Sequence, residues 1–369
     1  SLHWGYSLPG YENLTIANNG VPIVAHVHGG HSDFEFDGNP EFFFSPGYAN
    51  RGPQWLEKKF VYGNDQPAGT LWYHDHALGI TRLNVYAGMA GFYLLRDADD
   101  TGLPGNPVGL PAFPYEAAFA IQDKMFKDTG ELFYPAFPGD PFYDDFITGE
   151  GAILPAGTFP GGGHTGLAEF FGDHMVVNGV IWPKMDVEPR NYRLRLLNGC
   201  DSRFLAVQFF EVPAGATDFT QAGGPLGFTV IGSDQGLASS PTAVNTLLME
   251  TGSRYDIVFD FKTVTEGSRV IMKNIGGDEP FGGTLTTQDP GLQVFGETDR
   301  IMAFDVTLPL DAAVPDPTPT GINFGPVLPP STRLRKVSLF EGKDEYGRLQ
   351  PLLGTAEPAT DFGGTPISW

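Results

Sequence analysis

Cysteine and positive charge are both scarce in this sequence, and each shortage excludes a class of protein. Cys200 is the single cysteine among 369 residues, so an internal disulfide cannot form. The formal net charge of −22 argues against a nucleic-acid partner, because phosphate binding needs clustered basic side chains. Apolar runs long enough to span a membrane are also absent, so we expect no membrane partner. Ser1 begins no signal-like segment, which predicts a mature or trimmed N-terminus.

Turn-forming and core-forming residues are both abundant. The chain has 49 glycines and 32 prolines, yet 41% of its residues are hydrophobic and 30 are phenylalanine. This combination predicts many short strands joined by loops, so the predicted fold class is all-β. The alternating segment 83–95 predicts a pair of core strands. The clearest other strands are predicted at 192–197, 205–210, 228–231, 255–261, 269–273 and 334–340.

Proline-rich stretches indicate how the chain is divided. Residues 97–114 and 309–332 are rich in proline and read as linkers between β-rich segments. The predicted organisation is a first domain at 1–100, a second at 115–308, the linker at 309–332, and the beginning of a third domain at 333–369.

Four of the eight histidines form two His-x-His pairs, His26 with His28 and His74 with His76. Alternate residues of a β-strand project to the same face, so each pair offers two imidazoles side by side. Imidazole suits copper, zinc, iron and nickel, and two converging pairs can hold two or three ions. The pattern therefore predicts a metal site, while the spacing alone leaves the metal open. The other histidines have no partner at a useful spacing and are interpreted as structural or surface residues: His3, His31, His164 and His174.

The segments around the two pairs are specific. They read HVHGG at 26–30 and GTLWYHDH at 69–76, followed by TRLNVYAG at 81–88. Later segments include YRLRLLNG at 192–199 and SRYDIVFDF at 253–261. Together they resemble the multicopper oxidases, and in particular the branch of bacterial spore-coat laccases and bilirubin oxidases.

This resemblance implies tandem cupredoxin-like β-sandwiches of Greek-key topology, two complete and the start of a third. It implies a laccase-like enzyme that couples one-electron oxidation of phenolic or related substrates to four-electron reduction of O2 to water. By motif, His26 would bind the type 2 copper, and His28, His74 and His76 would bind the type 3 pair. The resemblance also implies that Asp37 occupies the place of an acidic residue near the cluster, where we expect it to assist proton delivery or water exit. The alternative is an ordinary turn aspartate before glycine.

The family's type 1 copper site needs a cysteine flanked by histidines, and no histidine is adjacent to Cys200. The third and fourth copper motifs are absent before Trp369. The resemblance thus implies that this chain supplies about half of the trinuclear site. The type 1 site is then expected on a C-terminal fragment or second chain, without which we expect no activity. The expected location is extracytoplasmic, secreted or on a spore surface.

Two other functions fit part of the pattern. A non-catalytic copper-binding cupredoxin scaffold would use the same four histidines without a type 1 site. A dinuclear metallohydrolase shares the i, i+2, i+5 spacing of His26, His28 and His31. Such a site has an aspartate where Gly30 stands, however, and its fold needs a βα alternation that this sequence lacks.

Overall fold

The computed structural model describes residues 20–135, 140–141, 169–216, 220–285, 297–324, 330–332, 337–343, 349–355, 359–360 and 366–367. The chain divides into two compact units, Ser1–Tyr134 with Phe171–Gly325, and Pro135–Phe170 with Pro326–Trp369. Strands form nearly all the regular structure of the described residues, so the all-β prediction is confirmed. The predicted boundary between the first and second domains falls inside the first unit, and it stays a prediction.

The predicted first domain contains a three-stranded antiparallel sheet. Its strands, in spatial order, are β1 (Ala25–His28), β2 (Gly69–Asp75) and β3 (Ala90–Leu95). One-turn 3-10 helices lie between β1 and β2 at Phe34–Phe36, Pro40–Phe42 and Pro46–Tyr48. One face of the sheet packs Val27, Leu71 and Leu95 into a small core. Since side chains alternate along a strand, His26, His28 and His74 lie on the opposite face.

The segment 83–95 differs from the predicted pair of strands. Its first part belongs to a short helix, α1 (Thr81–Tyr86), and only its second part is a strand, β3. The helix ends where Ala87 donates its N–H to the carbonyl of Leu83, and Gly88 follows with a φ of 102°. A glycine in this left-handed region is a common way to end a helix. The alternation of Leu83 and Val85 resembles that of a half-buried strand. In the structure, however, all four residues from Leu83 to Tyr86 are buried, and they form a helix.

The second predicted domain consists of two packed sheets, here called the second sandwich. Its strands are β4 (Glu116–Phe126), β5 (Leu132–Phe133), β6 (His174–Val177), β7 (Val180–Ile181), β8 (Lys184–Val187), β9 (Asn191–Asn198), β10 (Leu205–Val212), β11 (Phe228–Ser233), β12 (Gly236–Val244), β13 (Leu247–Met249), β14 (Arg254–Asp260), β15 (Arg269–Asn274) and β16 (Arg300–Val306). One sheet has the order β13-β10-β15-β16-β8, and the other has the order β12-β11-β14-β9-β4-β6-β7, with β5 paired to β4. A one-turn 3-10 helix, Phe261–Thr263, follows β14.

Strand β9 connects this sandwich to the first sheet. Its Leu194 and Leu196 enter the core of the sandwich, while the alternate residues Arg193 and Arg195 project from the other face. Both guanidinium groups contact Asp100, with N···O distances of 2.9 and 3.0 Å. Arg195 also donates to the hydroxyl of Thr70 on β2 at 2.5 Å. The first sheet is thus joined to the sandwich by buried polar contacts, whose geometry fixes its position.

Among its described residues, the second unit contains two antiparallel pairs of strands. Strand β17 (Val337–Lys343) pairs with β18 (Leu349–Thr355), and β19 (Ala359–Thr360) pairs with β20 (Pro366–Ile367). The predicted strand 334–340 overlaps β17, and its first three residues lie outside the described residues. In the described part of the chain, no helix combines the length and the apolar character needed to cross a bilayer.

Candidate metal centre

The four histidines of the two pairs lie together. The antiparallel register places His26 opposite His74 and His28 opposite Trp72. His76 follows directly after β2, and its backbone N–H donates to the carbonyl of Val24 at 2.8 Å. The His26 ring centroid lies 5.6 Å from that of His28, 5.3 Å from that of His74 and 5.2 Å from that of His76. The two sequence motifs therefore form one cluster.

The ring nitrogens of this cluster point towards a shared space. Nδ1 of His28 and Nε2 of His74 are 3.3 Å apart. One nitrogen each of His26, His28 and His74 lies within 4.8 Å of the other two. Two nitrogens that bind one ion at about 2.0–2.1 Å with a tetrahedral angle are about 3.3 Å apart. The donor set thus fits a bound transition-metal ion.

The outer nitrogens of two rings are held by the backbone. Nδ1 of His26 donates to the carbonyl oxygen of Asp37 at 2.5 Å, and Nδ1 of His74 donates to that of Asp75 at 2.7 Å. Each bond fixes the ring orientation and leaves Nε2 free to bind a metal. Nδ1 of His76 is buried and has no hydrogen-bond partner among the described residues.

The environment of the cluster keeps three of its rings, His28, His74 and His76, neutral. Burial, with the positive charge of Arg254 as a second cause, lowers the pKa of His28 to about 4. Burial also lowers the pKa of His74 to about 4 and lowers the pKa of His76. Neutral imidazole is the form that binds metal, so these three rings can bind an ion at neutral pH without releasing protons.

Sequence reasoning missed Trp72, which packs against two of the four rings. Its ring stacks on His28 with a centroid separation of 5.2 Å and lies 4.3 Å from the ring of His74. Trp72 is buried, so it restricts the rotamers of both histidines. The signal was present in the sequence, because residues 72, 74 and 76 have the spacing of one strand face.

Asp75 was missed as well, although it lies between the two histidines of the second pair. Its side chain points to the opposite face of β2 and is buried. The carboxylate accepts hydrogen bonds from the backbone of Val24 and Ala77 and from the side chain of Asn84. Burial raises the pKa of Asp75, and these three bonds oppose that shift.

Asp37 contributes its backbone and its side chain in different ways. Its carbonyl oxygen orients His26, as described above, while its carboxylate Oδ1 lies 3.4 Å from the same ring nitrogen. The side chain is about half exposed, at 49%. The carboxylate therefore lies beside the cluster and remains open to solvent.

The remaining candidates lie elsewhere. Cys200 is a buried free cysteine in the core of the second sandwich, and burial raises the pKa of its thiol. His31 is exposed and lies 3.3 Å from Asp65. His174 pairs with Asp173. His3 and His164 lie outside the described residues.

Comparison with known proteins finds relatives that match most of the chain. A laccase of Bacillus subtilis (strain 168) is 33% identical over 357 residues, which are 95% of this chain and 60% of the relative. A bilirubin oxidase of Albifimbria verrucaria is 33% identical over 304 residues, 81% of this chain and 44% of the relative. The chain thus spans about half the length of the curated relatives it matches. No protein-family model matches the sequence.

Solved structures agree with the fold. The McoA multicopper oxidase of Aquifex aeolicus superposes with a TM-score of 0.60 at 24% identity, covering 90% of this chain and 60% of the other. A multicopper oxidase of Pediococcus acidilactici gives a TM-score of 0.57 at 20% identity, over 92% of this chain and 56% of the other. The predicted cupredoxin-like, all-β fold is confirmed.

Proposed function

Since the chain belongs to the multicopper oxidase family, in the branch of laccases and bilirubin oxidases, we propose that its clustered histidines bind copper in a laccase-like oxidase. The observation that carries the proposal is the convergence of His26, His28 and His74, whose ring nitrogens face one shared space. The proposed reaction oxidises four equivalents of a phenolic or related substrate by one electron each and reduces one O2 to two water molecules.

In the proposed assignment, His26 belongs to the type 2 copper, and His28, His74 and His76 belong to the type 3 pair. The facing nitrogens of His28 and His74, 3.3 Å apart, support the placement of these two rings at one ion. Bound copper would supply the one-electron steps. The chain's own residues keep His28, His74 and His76 neutral. They also orient His26 and His74 through backbone carbonyls and place the Asp37 carboxylate beside the cluster.

We further propose that this chain supplies only about half of the trinuclear site. The type 1 copper would lie on a C-terminal fragment or second chain, and the other partners would be O2 and a small reducing substrate. In support, Cys200 is buried in the second sandwich with no histidine adjacent to it in sequence. The proposed location is extracytoplasmic, secreted or on a spore surface.

Copper binding by matched histidine variants tests the proposal. The wild-type chain, loaded with Cu(II) and desalted, should retain copper measurable by metal analysis and by electron paramagnetic resonance. His28→Gln and His74→Gln should each retain less, because both rings face the same space. His31→Gln is the matched control, since His31 is exposed and pairs with Asp65. Equal copper in all four proteins, or a preference for zinc, would contradict the proposed copper site.

A second candidate function is a copper-binding scaffold without catalysis, which the lack of a histidine beside Cys200 favours for this chain alone. Oxygen consumption with a phenolic substrate separates the two. We expect no turnover by the isolated chain. We expect turnover, with an absorption band at about 600 nm, once a companion carrying a Cu–thiolate site is present. Copper binding without either signal in the complete assembly would favour the scaffold.

A further inference from the structure

Arg254, the first residue of β14, extends from the second sandwich to the histidine-bearing sheet. Its side chain is 1% exposed. Its Nε donates to the carbonyl oxygen of Thr70 at 3.0 Å. Thr70 is the second residue of β2, four positions before His74. A hydrogen bond to the backbone at this point restricts the position of the whole short strand. This strand carries both Trp72 and His74 on the same face, so the restriction extends to these two rings.

The same guanidinium occupies the space beside the first histidine pair. Gly29 follows His28 with a φ of +88°, and a Cβ built on it would lie 2.9 Å from Nη2 of Arg254. The guanidinium therefore fills the place that a side chain at position 29 would take. Arg254 thus reaches the end of β1 as well as the start of β2.

The guanidinium is held rigidly by the second sandwich. Nη1 donates to the carbonyl of Gly252 at 3.0 Å, and Nη2 donates to the carbonyl of Asp234 at 2.9 Å. Oδ1 of Asp234 accepts the backbone N–H of Arg254 at 2.8 Å and lies 3.2 Å from Nη1. Gly252 itself approaches the cluster, since a Cβ there would lie 3.7 Å from Cε1 of His28. The planar fork of arginine suits these fixed carbonyls, whereas a lysine cannot serve them all in one geometry.

We propose that Arg254 is a positioning residue of the histidine cluster that fixes β1 and β2 against the second sandwich and whose permanent charge draws small anions, such as hydroxide or azide, to metal ions bound there. The anion part rests on the proposed function, because it needs bound copper. The guanidinium lies close to the first histidine pair, since its Nη2 fills the place of a side chain at Gly29, the residue after His28. An arginine stays charged at any pH the fold tolerates, so its charge acts constantly.

Two variants separate the fork from the charge. Arg254→Lys keeps the charge and loses the fork, while Arg254→Gln loses both. In the copper-free chain, hydrogen exchange of the β2 amides should become about tenfold faster in both variants, as expected when a hydrogen bond from a charged donor is lost. In the Cu(II)-loaded chain, azide should bind about tenfold more weakly to Arg254→Gln and with nearly unchanged affinity to Arg254→Lys.

Arg269→Gln is the control. Arg269 lies on β15, bonds Asp305 and the carbonyl of Ala216, and belongs to the other sheet of the sandwich. Its loss removes the same charge from the chain and should change neither readout. Wild-type exchange at β2 in both Arg254 variants would overturn the positioning role, and wild-type azide affinity in Arg254→Gln would overturn the anion role.

If Arg254→Gln does not fold, Asp234→Asn tests the charge, because Asn keeps the oxygen that accepts the Arg254 N–H but removes the neighbouring negative charge. Azide should then bind about twofold to threefold more tightly, and an unchanged affinity overturns the anion role. A wild-type chain that binds no copper overturns the proposed function and the anion role together, while amide exchange in the copper-free chain still decides the positioning role.

Discussion

The side-chain amide of Asn84 donates to Oδ2 of Asp75 at 2.8 Å and to the carbonyl oxygen of Pro22 at 3.0 Å. One buried group on α1 thereby joins the end of β2 to the segment that precedes β1. Oδ1 of Asp75 accepts the N–H of Val24 at 2.8 Å, and Oδ2 accepts that of Ala77 at 3.1 Å. These bonds hold the backbone on both sides of the histidine cluster.

Replacement of Asn84 by alanine should therefore destabilise the chain. The substitution removes two hydrogen bonds and leaves the Pro22 carbonyl buried without a donor. Each buried group left unsatisfied costs about 1–3 kcal/mol, so we expect the free energy of unfolding in urea to fall by about 2–4 kcal/mol. Asn245→Ala is the control, because Asn245 is exposed. Equal stability of wild type and Asn84→Ala would show that the bonds around Asp75 contribute little.

Gly38 packs directly on a histidine of the cluster. A Cβ at this position would lie 2.5 Å from the carbonyl oxygen of Ala25 and 2.8 Å from Cβ of His26, and the φ of Gly38 is +80°. Gly38→Ala should lower the free energy of unfolding by about 1–3 kcal/mol through strain and should reduce copper retention by displacing His26. Gly63→Ala is the matched control, since a Cβ there meets no atom within 4 Å. A Gly38→Ala chain with normal stability and copper would contradict this packing.

The β-strand period explains how much of the site the sequence could predict. Alternation placed His26 and His28 on one face, and the family motifs indicated that the second pair lies beside them. The register that sets His26 opposite His74 could not be read from spacing, because a shift by one residue would have reversed the faces. The structure fixes it through contacts such as that of Asp75 with Val24, which are 51 positions apart.

Contacts between distant segments account for what the sequence did not reveal. The motif 253–261 resembled a fold signature, and only the folded chain shows that Arg254 reaches Thr70, 184 positions away. The segment 83–95 was likewise predicted to be a pair of strands, whereas its first part is a helix in which Asn84 makes buried hydrogen bonds. Local propensity is a weak guide where such tertiary contacts decide.

We expect the free energy of unfolding to depend on pH through the side chain of Asp201. Burial, with the nearby charge of Asp123 as the next cause, raises its pKa from 3.8 to about 7, and its Oδ2 is buried without a hydrogen-bond partner in the described part of the chain. The folded state then binds a proton between these two pH values that the unfolded state has released. The Asp201 contribution to stability is therefore lost as the pH rises from about 4 to about 7.

Asp201→Asn should accordingly be more stable than wild type at pH 8, and this advantage should shrink towards pH 5. Urea unfolding of both proteins across that range measures the difference. Asp128→Asn, at an exposed turn, should show no such trend relative to wild type. A difference between Asp201→Asn and wild type that does not vary with pH would contradict the raised pKa.

Asp37→Asn separates the two contributions of this residue to the proposed oxidase. The backbone carbonyl that orients His26 is unchanged by the substitution, so copper retention should equal that of wild type. The carboxylate beside the cluster is lost, and oxygen consumption by the complete assembly should fall about a hundredfold if this group delivers protons. Asp33→Asn, at an exposed position four residues earlier, should keep full activity. Full turnover by Asp37→Asn would show that Asp37 is a turn residue that acts only through its backbone. Loss of copper would instead show that the carboxylate, 3.4 Å from Nδ1 of His26, helps to hold that ring.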